Sequence, residues 1–315
     1  MLDRKDCQAI DAARLYYDAQ LSQADIAKKL GISRPTVSKL LTHARENGFV
    51  TITINDPREQ AGEVITELQR LFNLEVVRIV RPATSSQSEL YKDLGGVGAE
   101  VLEAILADGM SVGISWGQTL TSIAEHLRPQ SLHDMKVVQL KGGHSHTERN
   151  TKDVVTLTRF ARALDAEMMA LPLPVILDSK QTKDLVVTDR HIAHMLAEGA
   201  TADVAVFTVG DARPESLLMN LGYLTDEEVE QLGKNAVGDV CSRFFDSQGN
   251  IADPEIDART VGISIDDLRS RPIRLLVAGG TRKADAIATA LRMGLATHLV
   301  IDHDTATRIA NMEQM

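Results

Sequence analysis

Residues 22–41 read SQADIAKKLGISRPTVSKLL. Ser22, with Asp25 three residues on, is a helix-start pattern in which side chains satisfy the first unpaired N–H groups. Ile26, Ala27 and Leu30 form one apolar stripe, and Gly31 stops the helix, as a glycine just past a helix end does. Ser33 caps the next helix, and Pro35 fits its first turn, where a missing N–H costs little. Val37, Leu40, Leu41 and Ala44 recur at i, i+3, i+4 and i+7, a buried face that ends at Gly48. Upstream, residues 6–19 predict a helix with Ile10, Ala13, Leu15 and Tyr17 among its apolar positions, and Tyr16-Tyr17 reads as packing between helices. Two helices joined by a tight glycine turn form a helix-turn-helix unit.

On the third helix Arg34, Thr36, Ser38, Lys39, Thr42, His43 and Arg45 face outward. Residues near the start of such a helix meet base edges in a major groove. Arg34 suits bidentate contact to guanine, and Thr36 and Ser38 suit bases or phosphates. Lys28, Lys39 and Arg45 suit phosphates, which position a protein and make binding salt-dependent. With the caps Ser22 and Ser33, these residues are the candidate DNA-binding set. The bland alternative is a three-helix structural module with an ordinary polar face. Residues 49–54 (FVTITI) alternate with period two and predict a strand, hence a winged variant. Asn55-Asp56-Pro57 is a turn signal. It sets the expected boundary between a DNA-binding domain, 1–56, and an effector-binding and oligomerisation domain, 57–315. Residues 58–72 read as a connecting helix able to pair with its copy in a dimer.

The whole chain has 315 residues, 43% of them apolar and 25% charged, which suits a globular protein of two domains. Mean hydropathy is −0.10, and nothing predicts a membrane span. The first residues lack an apolar signal region, and Cys7 and Cys241 lie far apart. No signal peptide, disulfide framework or thiolate metal site is expected, and the cytoplasm is the expected compartment. The net charge of −10 is unevenly shared. Residues 1–56 hold eight Lys/Arg against seven Asp/Glu, and the remainder 26 against 37. A locally basic head on an acidic body is compatible with DNA contact through the head alone.

From residue 75 short apolar strands alternate with helices. The strands are expected at 75–80, 110–114, 136–140, 167–171, 203–209, 273–277 and 298–301. The helices are expected at 88–107, 117–127, 151–164, 181–198, 225–234, 281–292 and 303–311. This pattern predicts an α/β domain with a doubly wound, mostly parallel sheet, whose ligands bind beyond the carboxyl ends of the strands. Four loops there are unusual: Ser115–Thr119 (SWGQT), Lys141-Gly-Gly143, Gly210–Arg213 (GDAR) and Ala278–Lys283 (AGGTRK). Glycine-rich turns that open helices bind anions through backbone N–H groups. Lys141 and Arg213 at sheet ends add cations, so a small phosphorylated ligand is expected. Alternatively the glycines serve tight turns and the cations pair with surface acids.

The helix-turn-helix string, GISWGQTL, VVQLKGG, AVGDVCSRFFDSQGN and VAGGTRKADAI together resemble the SorC-type sugar-binding transcriptional regulators, particularly the branch governing deoxyribonucleoside use. The resemblance covers essentially the whole chain. It implies a body related to sugar-phosphate isomerases and deaminases, no catalysis, no cofactor, and a homodimer or homotetramer on operator DNA. It implies a sugar-phosphate effector, deoxyribose 5-phosphate in the most similar members. Ser115, Gln118 and Thr119 would form one phosphate loop and Gly280 and Lys283 the other, with Arg213 and Asp239 lining the pocket. Lys141 would form a Schiff base with the sugar aldehyde. The chemistry is reasonable, because a desolvated amine loses its proton more easily and attacks carbonyls. A simple phosphate-binding ammonium is the alternative.

Three further patterns are weighed. Gly113–Gly117 matches G-x-S-x-G, the nucleophile elbow of hydrolases, but a hydrolase has no need of the head. An isomerase or deaminase using Lys141 and Asp239 is the stronger enzymatic rival. His144 and His146 lack a legible third ligand, so no metal site is expected.

Overall fold

The chain divides into two units, Met1–Pro57 and Arg58–Met315, and the computed structural model describes residues 3–51, 62–143 and 151–313. In the first unit, α1 (Arg4–Ala13) starts on a capping box of Asp3 and Asp6 and runs into one π-helical turn, Arg14–Asp18. Then come α2 (Gln23–Leu30) and α3 (Arg34–Glu46). Ser22 and Ser33 cap them by accepting the N–H groups of Asp25 and Thr36, and Gly31 ends α2 in the left-handed conformation. Ala9, Ala12, Ala13, Ile26, Val37, Leu40, Leu41 and Ala44 form the core. His43 is not on the outward face. Its Nε2 lies 2.8 Å from Asp6 Oδ1, which ties α3 to α1. The expected wing strand does not appear in Phe49–Thr51, and its remaining residues lie outside the described ones.

In the second unit the elements follow in order. They are α4 (Gly62–Phe72), β1 (Val76–Val80), α5 (Gln87–Ile105), β2 (Ser111–Ile114), α6 (Gln118–His126), β3 (Lys136–Gln139), α7 (Asp153–Ala163) and β4 (Glu167–Met169). Next are α8 (Lys180–Val186), α9 (Arg190–Thr201), β5 (Val204–Phe207), β6 (Val209–Asp211), α10 (Asp226–Asn235), β7 (Gly238–Val240) and β8 (Arg243–Phe245). The chain ends with α11 (Pro254–Ala258), α12 (Ile265–Arg269), β9 (Ile273–Val277), α13 (Ala284–Arg292), β10 (His298–Asp302) and α14 (His303–Met312).

Seven strands form one sheet in the order β1-β10-β9-β5-β2-β3-β4, with every neighbouring pair parallel. Alternation within the strands divides the core. Val204 and Val206 of β5 pack with Leu94, Leu102, Ile123 and Phe160 of α5–α7. Ala205 and Phe207 pack with α4, α13 and α14 through Leu68, Ile287 and Ile309. Both faces are covered, which is why the strands read as continuous apolar runs. The chain steps outward through β2, β3 and β4. It returns with β5 on the opposite side of β2 and continues to β9 and β10. The order reverses between β2 and β5, and there the loops part to leave a crevice.

Three features differ from the sequence expectation. The segment 181–198 is two helices, because Asp189 caps a new one through the N–H groups of His191 and Ile192. The run 203–209 breaks at Thr208, and Val209–Asp211 joins a separate antiparallel sheet, β6-β7-β8. Helices α11 and α12 are single short turns that no periodicity marks.

Helices α5 and α6 approach closely at Gly95, where an added Cβ would meet Ser122 Oγ at 2.2 Å and Ser122 backbone C at 2.6 Å. Backbone cannot move aside as a flexible side chain can. Gly95→Ala should therefore lower stability by about 1–3 kcal/mol, roughly 2–10 °C in thermal unfolding. An unchanged melting temperature would show that the α5–α6 contact is looser than described.

Candidate functional site

A cavity of about 220 Å³ opens at the β2/β5 reversal. Trp116, Gly117, Gln118 and Thr119 reach it from the loop after β2, Lys141 from the end of β3, and Thr208 to Asp211 from the end of β5. Asp239 of β7, Lys283 before α13, Tyr91 of α5 and Ser216 to Leu218 complete the wall.

Lys141 lies at the centre of the chemistry. It is 5% exposed. Its Nζ sits 3.7 Å from the centre of the Trp116 ring and donates to Ser242 Oγ at 2.9 Å. Burial pushes its pKa down, against the opposing charges of Asp239 and Cys241. Burial likewise pushes the Asp239 carboxyl up, against Lys141, the Ser242 N–H and Lys283. Both shifts run against the charged forms, and burial is the larger cause of each. An amine and a carboxyl are thereby placed in one cavity.

The strand end is pinned around this lysine. Lys141 forms an isolated bridge with Gly262, and the Gly142 N–H donates to Val261 O. The Trp116 indole N–H donates to Gly142 O at 2.7 Å. The glycines of KGG provide clearance rather than an anion cradle, since a Cβ on Gly142 would lie 2.5 Å from Leu173 O and Pro174 O.

The two glycine-rich helix-opening loops are not equivalent. Gly117, at φ +138°, begins α6 with no capping side chain. The first N–H groups of that helix thus open onto the cavity lined by Gln118 and Thr119, as anion binding requires. In the second loop the Gly280 N–H already donates to Asp302 Oδ2 at 2.7 Å. Gly280 and Arg213 line not this cavity but an adjoining cleft of about 620 Å³, bordered also by Thr84–Gln87 and Arg282. The two spaces share Tyr91, Asp211 and Lys283. Arg213 is held by Asp211 at 2.5 Å. Lys283 is drawn inward, with Nζ donating to Val209 O at 2.9 Å and a pKa pushed down by burial. Ser115 lies below the rim, 3% exposed, with its N–H on Val206 O. Among the described residues its hydroxyl has no histidine or carboxylate partner of the kind a nucleophile elbow uses.

Comparison with known proteins fixes the family. Residues 56–311 match the family described as "Putative sugar-binding domain", and residues 3–50 match the homeodomain-like domain family. The chain is 43% identical over 311 residues to the deoxyribonucleoside regulator of Bacillus subtilis strain 168, covering 98% of this chain and 99% of that one. It is 30% identical to the sorbitol operon regulator of Klebsiella pneumoniae, covering 94% and 95%. The crystal structure of full-length SorC from Klebsiella pneumoniae aligns with a TM-score of 0.80 and 27% identity, over 98% of this chain and all of that one. The chain belongs to the SorC-type sugar-binding transcriptional regulators. These relatives are regulators with a sugar-binding domain, not enzymes. No helix among the described residues of this SorC-type regulator is long and apolar enough to cross a membrane. No cluster among them fits a metal.

In its head, Arg34, Ser38, Lys39, Lys28 and Arg45 are exposed. None pairs with another described side chain, so all are free for phosphates and bases. Ser22, Ser33 and Thr36 are exposed too, but their hydroxyls are engaged in capping, with Ser33 Oγ 2.7 Å from Thr36 Oγ1. Sequence reasoning missed Ser242, Thr208 and Ser216 of the regulator's body. Thr208 Oγ1 and Ser216 Oγ are buried without a hydrogen-bond partner in the cavity wall. Such groups are rare and suit ligand hydroxyls. No local pattern marks them.

The Lys141 shift has a measurable consequence. The folded state binds fewer protons than the unfolded one between the depressed value and the ordinary 10.5. Stability should therefore rise with pH across that window, by up to about 1.4 kcal/mol per pH unit. Lys141→Met should flatten this part of the curve in denaturant titrations. Equal slopes in the two proteins would mean that Lys141 keeps its solution value.

Proposed function

We propose that this regulator is a cytoplasmic repressor of genes for deoxyribonucleoside and deoxyribose catabolism. Deoxyribose 5-phosphate, bound in the body, releases it from operator DNA. The observation that carries this reading is the desolvated Lys141 amine in a small cavity, beside an uncapped helix start. The volume lies below the ~300–1,000 Å³ of drug-sized sites, which favours a small ligand. The phosphate sits at the start of α6, with Lys283 as its cation, and Thr208 and Ser216 meet sugar hydroxyls. The open-chain aldehyde then lies at Lys141 and forms an imine with release of water. Resemblance to a regulator named for deoxyribonucleosides supports this choice of sugar.

The head takes a double-stranded operator through α3. Helix-turn-helix proteins commonly bind paired half-sites as dimers, and a homodimer or homotetramer fits that use. The effector must bind the DNA-competent and released arrangements with different affinity, since equal affinity shifts no population.

Borohydride reduction in the presence of deoxyribose 5-phosphate should leave one adduct, on the Lys141 peptide, by mass spectrometry. In gel-shift titrations the same sugar should weaken operator binding. Binding without an adduct would replace the imine by an ammonium–phosphate contact, and tighter DNA binding would reverse the sign of regulation.

The head makes a separate prediction. Arg34→Ala should cost about 1–3 kcal/mol on operator DNA and relax sequence preference. Lys39→Ala should weaken all sequences alike and lower the salt slope by about one. Equal losses on operator and random DNA for Arg34→Ala would remove its base-reading role.

A further inference from the structure

Residues Cys241 and Ser242 join β7 to β8 in a two-residue turn. Both have positive φ, +49° and +66°. Hairpin turns with both central residues in that region are normally filled by Asn-Gly or Gly-Gly, because L side chains are strained there. This chain keeps two side chains in the turn, and each is buried. Cys241 packs into the apolar core beneath the sheet. Ser242, with no exposed surface, turns its N–H to Asp239 Oδ2 at 3.0 Å and its hydroxyl to Lys141 Nζ at 2.9 Å. The hydroxyl is the only hydrogen-bond acceptor recorded for Lys141 among the described residues, and Ser242 does not itself line the cavity.

An amine nitrogen has four tetrahedral directions. At Lys141, Cε takes one, an N–H to Ser242 Oγ a second, and the Trp116 face a third. The fourth is left for the cavity that Lys141 lines. We propose that Ser242 is a positioning residue that aims the Lys141 lone pair into the cavity for attack on a sugar aldehyde. The inference rests on the imine reading above. In the step it serves, Nζ bonds to the aldehyde carbon, and one N–H proton passes to the carbonyl oxygen to give a carbinolamine. The C–O bond then breaks as the C=N bond forms. The oxygen leaves as water with a second proton from Nζ, and nothing is oxidised or reduced. Asp239, bonded to the Ser242 N–H, sits where it can relay these protons.

The test is the rate of adduct formation by the full-length chain with deoxyribose 5-phosphate and borohydride, followed across pH. Ser242→Gly suits the left-handed turn, so its melting temperature should equal or exceed that of the unaltered protein. Trapping should nevertheless slow by roughly 10- to 100-fold, as misplacement of a reacting group by about an ångström does. Its pH profile should move to lower pH, because an acceptor for the ammonium is gone. Ser242→Asn tolerates the left-handed region and supplies an amide oxygen, so it should recover part of the rate. Trapping by Ser242→Gly at the original rate and pH profile overturns the inference. Slower trapping with an unmoved profile and no recovery in Ser242→Asn also overturns it, since that marks a merely structural role. If the unaltered protein gives no adduct, the covalent reading falls and this inference with it.

Discussion

A buried amine with no ion pair among the described residues is the constraint around which the body is arranged. Among the described residues Lys141 has no carboxylate within salt-bridge reach. Burying a charge without a close partner costs several kcal/mol. That cost falls on the charged forms, and burial accordingly pushes Lys141 down and Asp239 up. The surroundings of Lys141 hold the nitrogen in place. The Trp116 ring covers one side, and its own N–H ties back to Gly142 O, the residue after the lysine. The ends of β2 and β3 are thus cross-linked beside the nitrogen they present. A surface lysine at a strand end would have the same reach but an ordinary proton affinity, and no useful nucleophilicity near neutral pH.

What was legible in the sequence was local. The head was readable because Ser22, Gly31, Ser33 and Pro35 each dictate backbone within four residues. The inward turn of His43 was not, since its partner Asp6 lies 37 residues away. In the body the parallel sheet followed from apolar runs, and Lys141, Gln118, Thr119, Asp239 and Lys283 do share one cavity. The turn at Ser242 was hidden for two reasons. Its contact with Lys141 spans 101 residues, and Cys-Ser carries none of the glycine or asparagine that betrays such turns. Asp189 was hidden by continuing helical periodicity on both sides of it. The likeness of the two glycine-rich loops misled, because sequence does not show that Asp302 already holds the Gly280 N–H.

That inequality bears on how an anion is drawn into an acidic body. Outside the first 56 residues the chain carries 37 acids against 26 bases, so the field at long range repels phosphate. For a phosphorylated ligand, attraction has to be short-range, from the start of α6 and Lys283, and strengthened by the low-dielectric walls. In the adjoining cleft Asp211, Asp302 and Asp304 offset Arg213 and Arg282.

Regulation requires more than a tight site, and the cavity wall shows where differential affinity can arise. One half belongs to the parallel sheet: the ends of β2, β3 and β5, held on both faces by the core. The other half is Asp239 of the small antiparallel sheet and the segment Ser216–Leu218. Asp239 belongs to the same hairpin as Ser242, and Lys283 bonds Val209 O at the start of β6. A ligand that occupies Lys141, Lys283 and the Thr208 and Ser216 hydroxyls together therefore clamps the small sheet to the large one. Such a ligand acts as an effector to the extent that the DNA-competent and released arrangements hold these groups differently.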